Sequence, residues 1–101
     1  MKKFLPSKLE LNPYKHEGSS GVKAYQSGAD FIILEFENAA KDRKRVYLYN
    51  YEVPGKTHVE TMKKLARKGE GLTTYKNKYF RSDYYAYWDK EKQRFILNDT
   101  E

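Results

Sequence analysis

RVYLYNYEVPGKTHVETMKKLARKGEG, residues Arg45 to Gly71, holds two periodicities separated by a breaker. Up to Val53 the chain alternates, setting Tyr47, Tyr49 and Tyr51 on one side against Val46, Leu48 and Asn50, which is the pattern of a strand. Pro54-Gly55 then ends pairing, because proline cannot donate to a ladder and glycine takes turn conformations freely. From Thr57 the period changes. Thr57 and Glu60 have the spacing of a capping box, and Val59, Met62, Leu65 and Ala66 recur at intervals of three and four, predicting an amphipathic helix over about 58–68 that Gly69 terminates. On this reading its outer face carries Lys63, Lys64, Arg67 and Lys68.

Upstream, DFIILEFEN (residues 30–38) is the clearest strand. Ile32, Leu34 and Phe36 share one face, while Phe31, Ile33, Glu35 and Glu37 share the other. The polar segment that follows it predicts a hairpin with the Tyr47 strand. A shorter alternation at Val22 and Ala24, closed by Ser27-Gly28 and Asp30, adds a further strand and completes a meander. Residues 1–18 hold Pro6 and Pro13 without a sustained period, so they read as an irregular N-terminal arm that Phe4, Leu5, Leu9, Leu11 and Tyr14 could pin to the body. Residues 19–101 then make one domain.

Downstream lies TYKNKYFRSDYYAYW, residues 74–88, with seven aromatic rings and three basic residues in fifteen positions. Leu72, Tyr75 and Tyr79 have helical spacing, which favours a short helical turn packed on the body over an extended segment. DYYAYWDKEKQRFILND predicts a terminal hairpin that turns at Asp89 to Gln93, with Phe95 and Leu97 marking its buried side. Strict alternation would place Tyr85 and Tyr87 on one face and Tyr84 and Trp88 on the other, so one pair is expected to form a contact surface. The expected fold is α+β: a small antiparallel meander, one helix packed on one face, and an aromatic C-terminal hairpin.

Composition bounds the function. At 101 residues and 39% apolar content the chain has material for one core, and its 16% aromatic content supplies much of that core, since each buried ring removes about 150–250 Å² from water. The longest apolar run, Phe31 to Leu34, is far short of the roughly 20 residues of a membrane span. The start, MKKFLPSKLELNPYK, lacks the apolar stretch of a secretory signal, so a cytoplasmic protein without membrane association is expected. There is no cysteine, which excludes disulfides and thiolate metal sites.

Catalytic chemistry finds little to work with. His16 and His58 have no ligand-spaced partner, no serine or threonine has an identifiable base, and Glu35 and Glu37 read as a solvated strand face. Lys68 to Gly71, K-G-E-G, follows a helix where a phosphate-cradling loop would precede one. The expectation is therefore a non-enzymatic protein with no cofactor, no metal site and no catalytic residue.

Charge points to binding. The net charge of +6 is concentrated in residues 41–81, where twelve basic side chains meet four acidic ones. Lys63, Lys64, Arg67 and Lys68, followed by Lys76, Lys78 and Arg81, alternate with Tyr75, Tyr79 and Phe80, and nucleic-acid binders combine such groups because cations meet phosphates and flat rings stack on bases. The bland reading is that helix lysines only solvate the helix and tyrosines complete the core. Two partner classes follow: RNA or another single-stranded nucleic acid held by the basic residues, or a larger, nucleic-acid-handling protein anchored or inhibited through Tyr84, Tyr85, Tyr87 and Trp88.

The strand, Val-Pro turn, helix and Lys-Gly stop, taken in that order, resemble the KTSC family, small domains named after a segment at the C-terminus of some lysyl-tRNA synthetases. The matching positions are Tyr47, Tyr49, Val53, Pro54, Lys68, Gly69, Tyr75 and Asn77, and the resemblance spans about residues 19–77. The chain departs from the family pattern by a longer hairpin connection at 38–45, by extra residues 70–74 and by both terminal extensions. The resemblance implies a small α+β fold and an RNA-binding role, and no catalysis.

Overall fold

The computed structural model describes residues 9–14, 22–36, 46–72, 74–75 and 84–97. Among the described residues six strands form one antiparallel sheet in chain order: β1 (Asn12–Pro13), β2 (Val22–Ser27), β3 (Phe31–Phe36), β4 (Val46–Asn50), β5 (Ala86–Asp89) and β6 (Arg94–Leu97). Helix α1 (Lys56–Lys68) follows β4 and lies across β3 and β4, and Leu72, Thr74 and Tyr75 beyond it are also helical. No helix among the described residues is long and apolar enough to cross a membrane.

The alternation read in the sequence builds the two faces. Ile32 and Leu34 of β3 and Tyr49 of β4 are buried beneath α1, where they meet Val59, Met62 and Ala66 together with Val22, Tyr14 and Leu72. Phe31, Ile33, Val46 and Leu48 point the other way and pack with Tyr85, Ala86, Trp88 and Phe95; Leu9, Leu11 and Val53 lie against this second cluster. The β3–β4 register places Leu34 opposite Tyr47 and Ile33 opposite Leu48, so each face is continuous across the hairpin.

Of the expected N-terminal arm, residues 9–14 are described, and they add a strand to the sheet. Asn12 and Pro13 pair with Tyr25 and Ala24, Tyr14 is buried, and its ring meets Tyr25 edge-on at 6.5 Å. A register shift between Val22 and Ala24 makes a bulge, and for that reason Val22 and Tyr25, three positions apart, both serve the helix face.

The helix ends where expected and begins differently. Gly69 adopts the left-handed conformation (φ 84°, ψ 24°) and its N–H bonds the Leu65 carbonyl at 2.8 Å, the stop that only a residue without a Cβ accepts cheaply. At the other end Gly55 is the cap, with φ 126°, and no side chain caps the helix. The capping box does not form, because Thr57 already lies inside the helix and Glu60 is taken by Tyr51 and Lys63. Within the turn before it, the Asn50 side-chain oxygen accepts from the N–H groups of Glu52 and Val53, and the Val53–Pro54 peptide is cis.

The C-terminal hairpin pairs Trp88 with Phe95 and Asp89 with Arg94. Asp89 organises its turn by accepting from the N–H groups of Glu91 and Lys92 at 2.9 and 3.1 Å. Phe95 is buried as expected, but Leu97 is 47% exposed: it stands at the end of the edge strand, beyond the cover that Trp88 gives Phe95.

Candidate nucleic-acid interface

Of the four basic residues assigned to the outer face of α1, three are there. Lys64, Arg67 and Lys68 are exposed on the last turns of the helix, where positive charge also complements the negative pole of the helix dipole. Lys68 lies 3.2 Å from the equally exposed Glu70, a pairing that solvent leaves weak. Lys64 and Arg67 make no ion pair among the described residues.

Lys63 is a correction. It is buried to 9% exposure, and its ammonium donates to the Ala29 carbonyl at 2.9 Å and to the Glu60 carboxylate at 3.0 Å. The Tyr51 hydroxyl donates to the same carboxylate oxygen at 2.6 Å and lies 3.2 Å from the same carbonyl. Together these groups tie α1 to the turn between β2 and β3. The bond from Tyr51, then that from Lys63, holds the Glu60 carboxyl below its ordinary range, and the same bond raises the Tyr51 hydroxyl above its own. Lys63 is thus a fastening of the helix and is not part of the basic surface.

The aromatic assignment divides in an unexpected way. The chain bends at Tyr85, and alternation fails there. Tyr85 and Trp88 fall on the second face, buried to 7% and 9% exposure, with Trp88 edge-on to Phe95 at 5.1 Å. Tyr84 and Tyr87 fall on the helix face and meet edge-on at 6.5 Å; Tyr84 is 4.6 Å from Tyr47, which is 5.8 Å from Phe36. All four of these rings are half-buried. The expected pairs were Tyr84 with Trp88 and Tyr85 with Tyr87; the observed pairs are Tyr84 with Tyr87 and Tyr85 with Trp88, so Tyr85 and Trp88 are mainly packing.

Tyr75 packs against the helix-face core, and its hydroxyl lies 2.8 Å from Nδ1 of His58. Beside it Leu72 is fully buried, in keeping with the expected packing of that segment. Lys76, Asn77, Lys78, Tyr79, Phe80 and Arg81 lie outside the described residues. Among the described residues no group of three histidine or acidic side chains is arranged to hold a metal ion. No protein-family model, curated protein or solved structure matches this chain.

Proposed function

We propose that this chain is a non-enzymatic binding domain that holds single-stranded nucleic acid, RNA in particular, against the outer face of α1. One observation carries the reading: the exposed cations Lys64, Arg67 and Lys68 crowd the last turns of one helix, while the lysine with strong acidic and carbonyl partners, Lys63, is turned inward. Lys64 and Arg67 have no ion pair among the described residues and Lys68 has only the exposed one to Glu70, so the face offers positive charge for which phosphates are the natural counter-charge. The half-buried rings of Tyr84 and Tyr87 offer edges and partial faces for base contact on the helix side of the sheet. The order of strand, Val-Pro turn, helix and glycine stop supports placing the chain among KTSC-like domains, and that resemblance favours RNA within the polyanion class.

The test is a labelled single-stranded RNA titrated against the parent and against a triple Lys64→Gln, Arg67→Gln, Lys68→Gln variant. The variant should melt with the parent and bind about tenfold or more weakly, a difference of 1.4 kcal/mol or more. Equal affinity would overturn the assignment. Binding of the parent to a protein partner that persists at high salt and after nuclease, with no RNA binding, would replace it with the protein-interface reading.

A further inference from the structure

On the face of the sheet away from α1, a cleft of about 240 Å³ opens between the N-terminal arm and the C-terminal hairpin. Leu9 and Leu11 form one wall, Val46 and Trp88 the apolar base, and Glu35, Lys90 and Gln93 the polar positions. Gln93 stands in the left-handed region (φ 54°) and its side-chain amide donates to the Lys90 carbonyl at 2.7 Å, within the hairpin turn. We propose that this cleft binds a primary ammonium group carried on a compact apolar body, the chemistry shared by a free apolar amino acid and by the N-terminal residue of a peptide.

Charge comes first. Glu35 projects from β3 on the same side as Ile33 and is half-buried, and its carboxylate has neither a hydrogen bond nor an ion pair among the described residues. A partly desolvated carboxylate without a partner gains from a cation delivered to it, more than an exposed one would. Trp88 also lines the cleft, and tryptophan attracts ammonium groups best among the aromatic side chains. Leu9, Leu11 and Val46 provide nothing for a polar body to bond, so the group attached to the ammonium must be hydrocarbon or aromatic.

Size and the remaining polar residues narrow the class. An apolar cavity of about 150 Å³ holds benzene, so this cleft has room for a branched alkyl or ring side chain together with its ammonium. Lys90, exposed at the rim, opposes a bare amine or a diamine and suits a carboxylate or carbonyl next to the ammonium. An α-amino acid head group carries a counterpart for each of Glu35 and Lys90, which a simple amine does not. This site is independent of the basic face of α1, and either could stand without the other.

Trp88 is the only tryptophan of the chain and lines the cleft, so its emission is a direct reporter in the intact protein. Leucine, leucinamide and N-acetyl-leucinamide are titrated against the full chain. Leucinamide should give a saturable change, and N-acetyl-leucinamide, which has lost only the ammonium, should bind about tenfold more weakly. Glu35→Gln should lower leucinamide affinity by a similar factor without lowering the melting temperature. Lys90→Ala separates the two sources: weaker leucine with unchanged leucinamide identifies the free amino acid, equal weakening of both, through the carbonyl they share, identifies a peptide end, and no change in either refutes the role given to Lys90. The proposal is overturned by the absence of saturation up to about 10 mM, by equal affinity of the acetylated compound, by an unaffected Glu35→Gln variant, or by adenosine or uridine binding as tightly as leucinamide. The comparison of amide and acetylated amide uses the parent chain, so it stands even if a variant fails to fold.

Discussion

Replacing Lys63 by methionine should destabilise the protein and leave RNA binding intact. The ammonium loses two charge-assisted hydrogen bonds, to Ala29 at 2.9 Å and to Glu60 at 3.0 Å. Bonds to charged groups contribute about 1.5–3 kcal/mol each, but two corrections reduce the sum. Glu60 retains the Tyr51 hydroxyl and reaches solvent, and methionine avoids the cost of holding an ammonium in a largely buried position. A net loss of about 1.5 kcal/mol remains, which at this chain length lowers the melting temperature by about 6–12 °C. Lys63→Ala also strips three methylenes from the buried stem, up to about 2.4 kcal/mol more. Thermal denaturation followed by circular dichroism, with RNA titration on the same samples, checks both sides. The reasoning is refuted if Lys63→Met melts with the parent, or if it loses RNA affinity as the triple outer-face variant does.

Three further outcomes follow from the packing. Met62→Ala, at a fully buried position under α1, should cost about 2–5 kcal/mol by chemical denaturation, and Leu65→Ala clearly less because Leu65 is half-buried; the reverse order would mean the helix is rotated. Gly28→Ala would drive a Cβ into the Phe31 ring, so it should cost about 1–3 kcal/mol as that buried ring is displaced, and a neutral melting result would contradict the contact. Stability should fall at both ends of the pH scale. Glu60, held below its ordinary 4.5, contributes stability above that pH which is lost as pH falls through its lowered value, and Tyr51→Phe should remove much of this acid dependence. Tyr49, raised by burial, and Tyr14 and Tyr51, also raised, contribute stability that is complete below pH 10 and lost as pH rises above it, because the unfolded chain ionises first; phenolate absorbance that rises together with unfolding is the sign to look for, and free titration of every tyrosine near pH 10 would refute it.

The elements that the sequence disclosed are those whose local preferences agree with the final packing. Ile32 and Leu34 alternate with Phe31 and Ile33 and sort to opposite faces, and Gly69 stops the helix because its left-handed conformation is set locally. Lys63 was misplaced for a specific reason. It stands four positions after Val59 and one after Met62, so helical geometry puts it on the buried stripe, but its charge reads as solvent-facing, and the carbonyl of Ala29, thirty-four residues away, joins Glu60 in making that burial favourable. The tyrosine pairs were misassigned because period-two reasoning assumes an unbroken strand, and the bend at Tyr85 is fixed by its N–H reaching Leu48, a tertiary contact. Strand β1 is two residues long, too short for any period to show. Glu35 reads as solvated in the sequence, and only the juxtaposition of the arm with the C-terminal hairpin encloses it.

The salt dependence of RNA binding tests the proposed function most directly. Three phosphate contacts from Lys64, Arg67 and Lys68 release counterions, so a plot of log affinity against log salt should fall with a slope of about −2 for a single strand. The triple glutamine variant should lose that slope, while Lys63→Met keeps it. A parent slope near zero, or an unchanged slope in the triple variant, would contradict the assignment of α1 as a nucleic-acid surface.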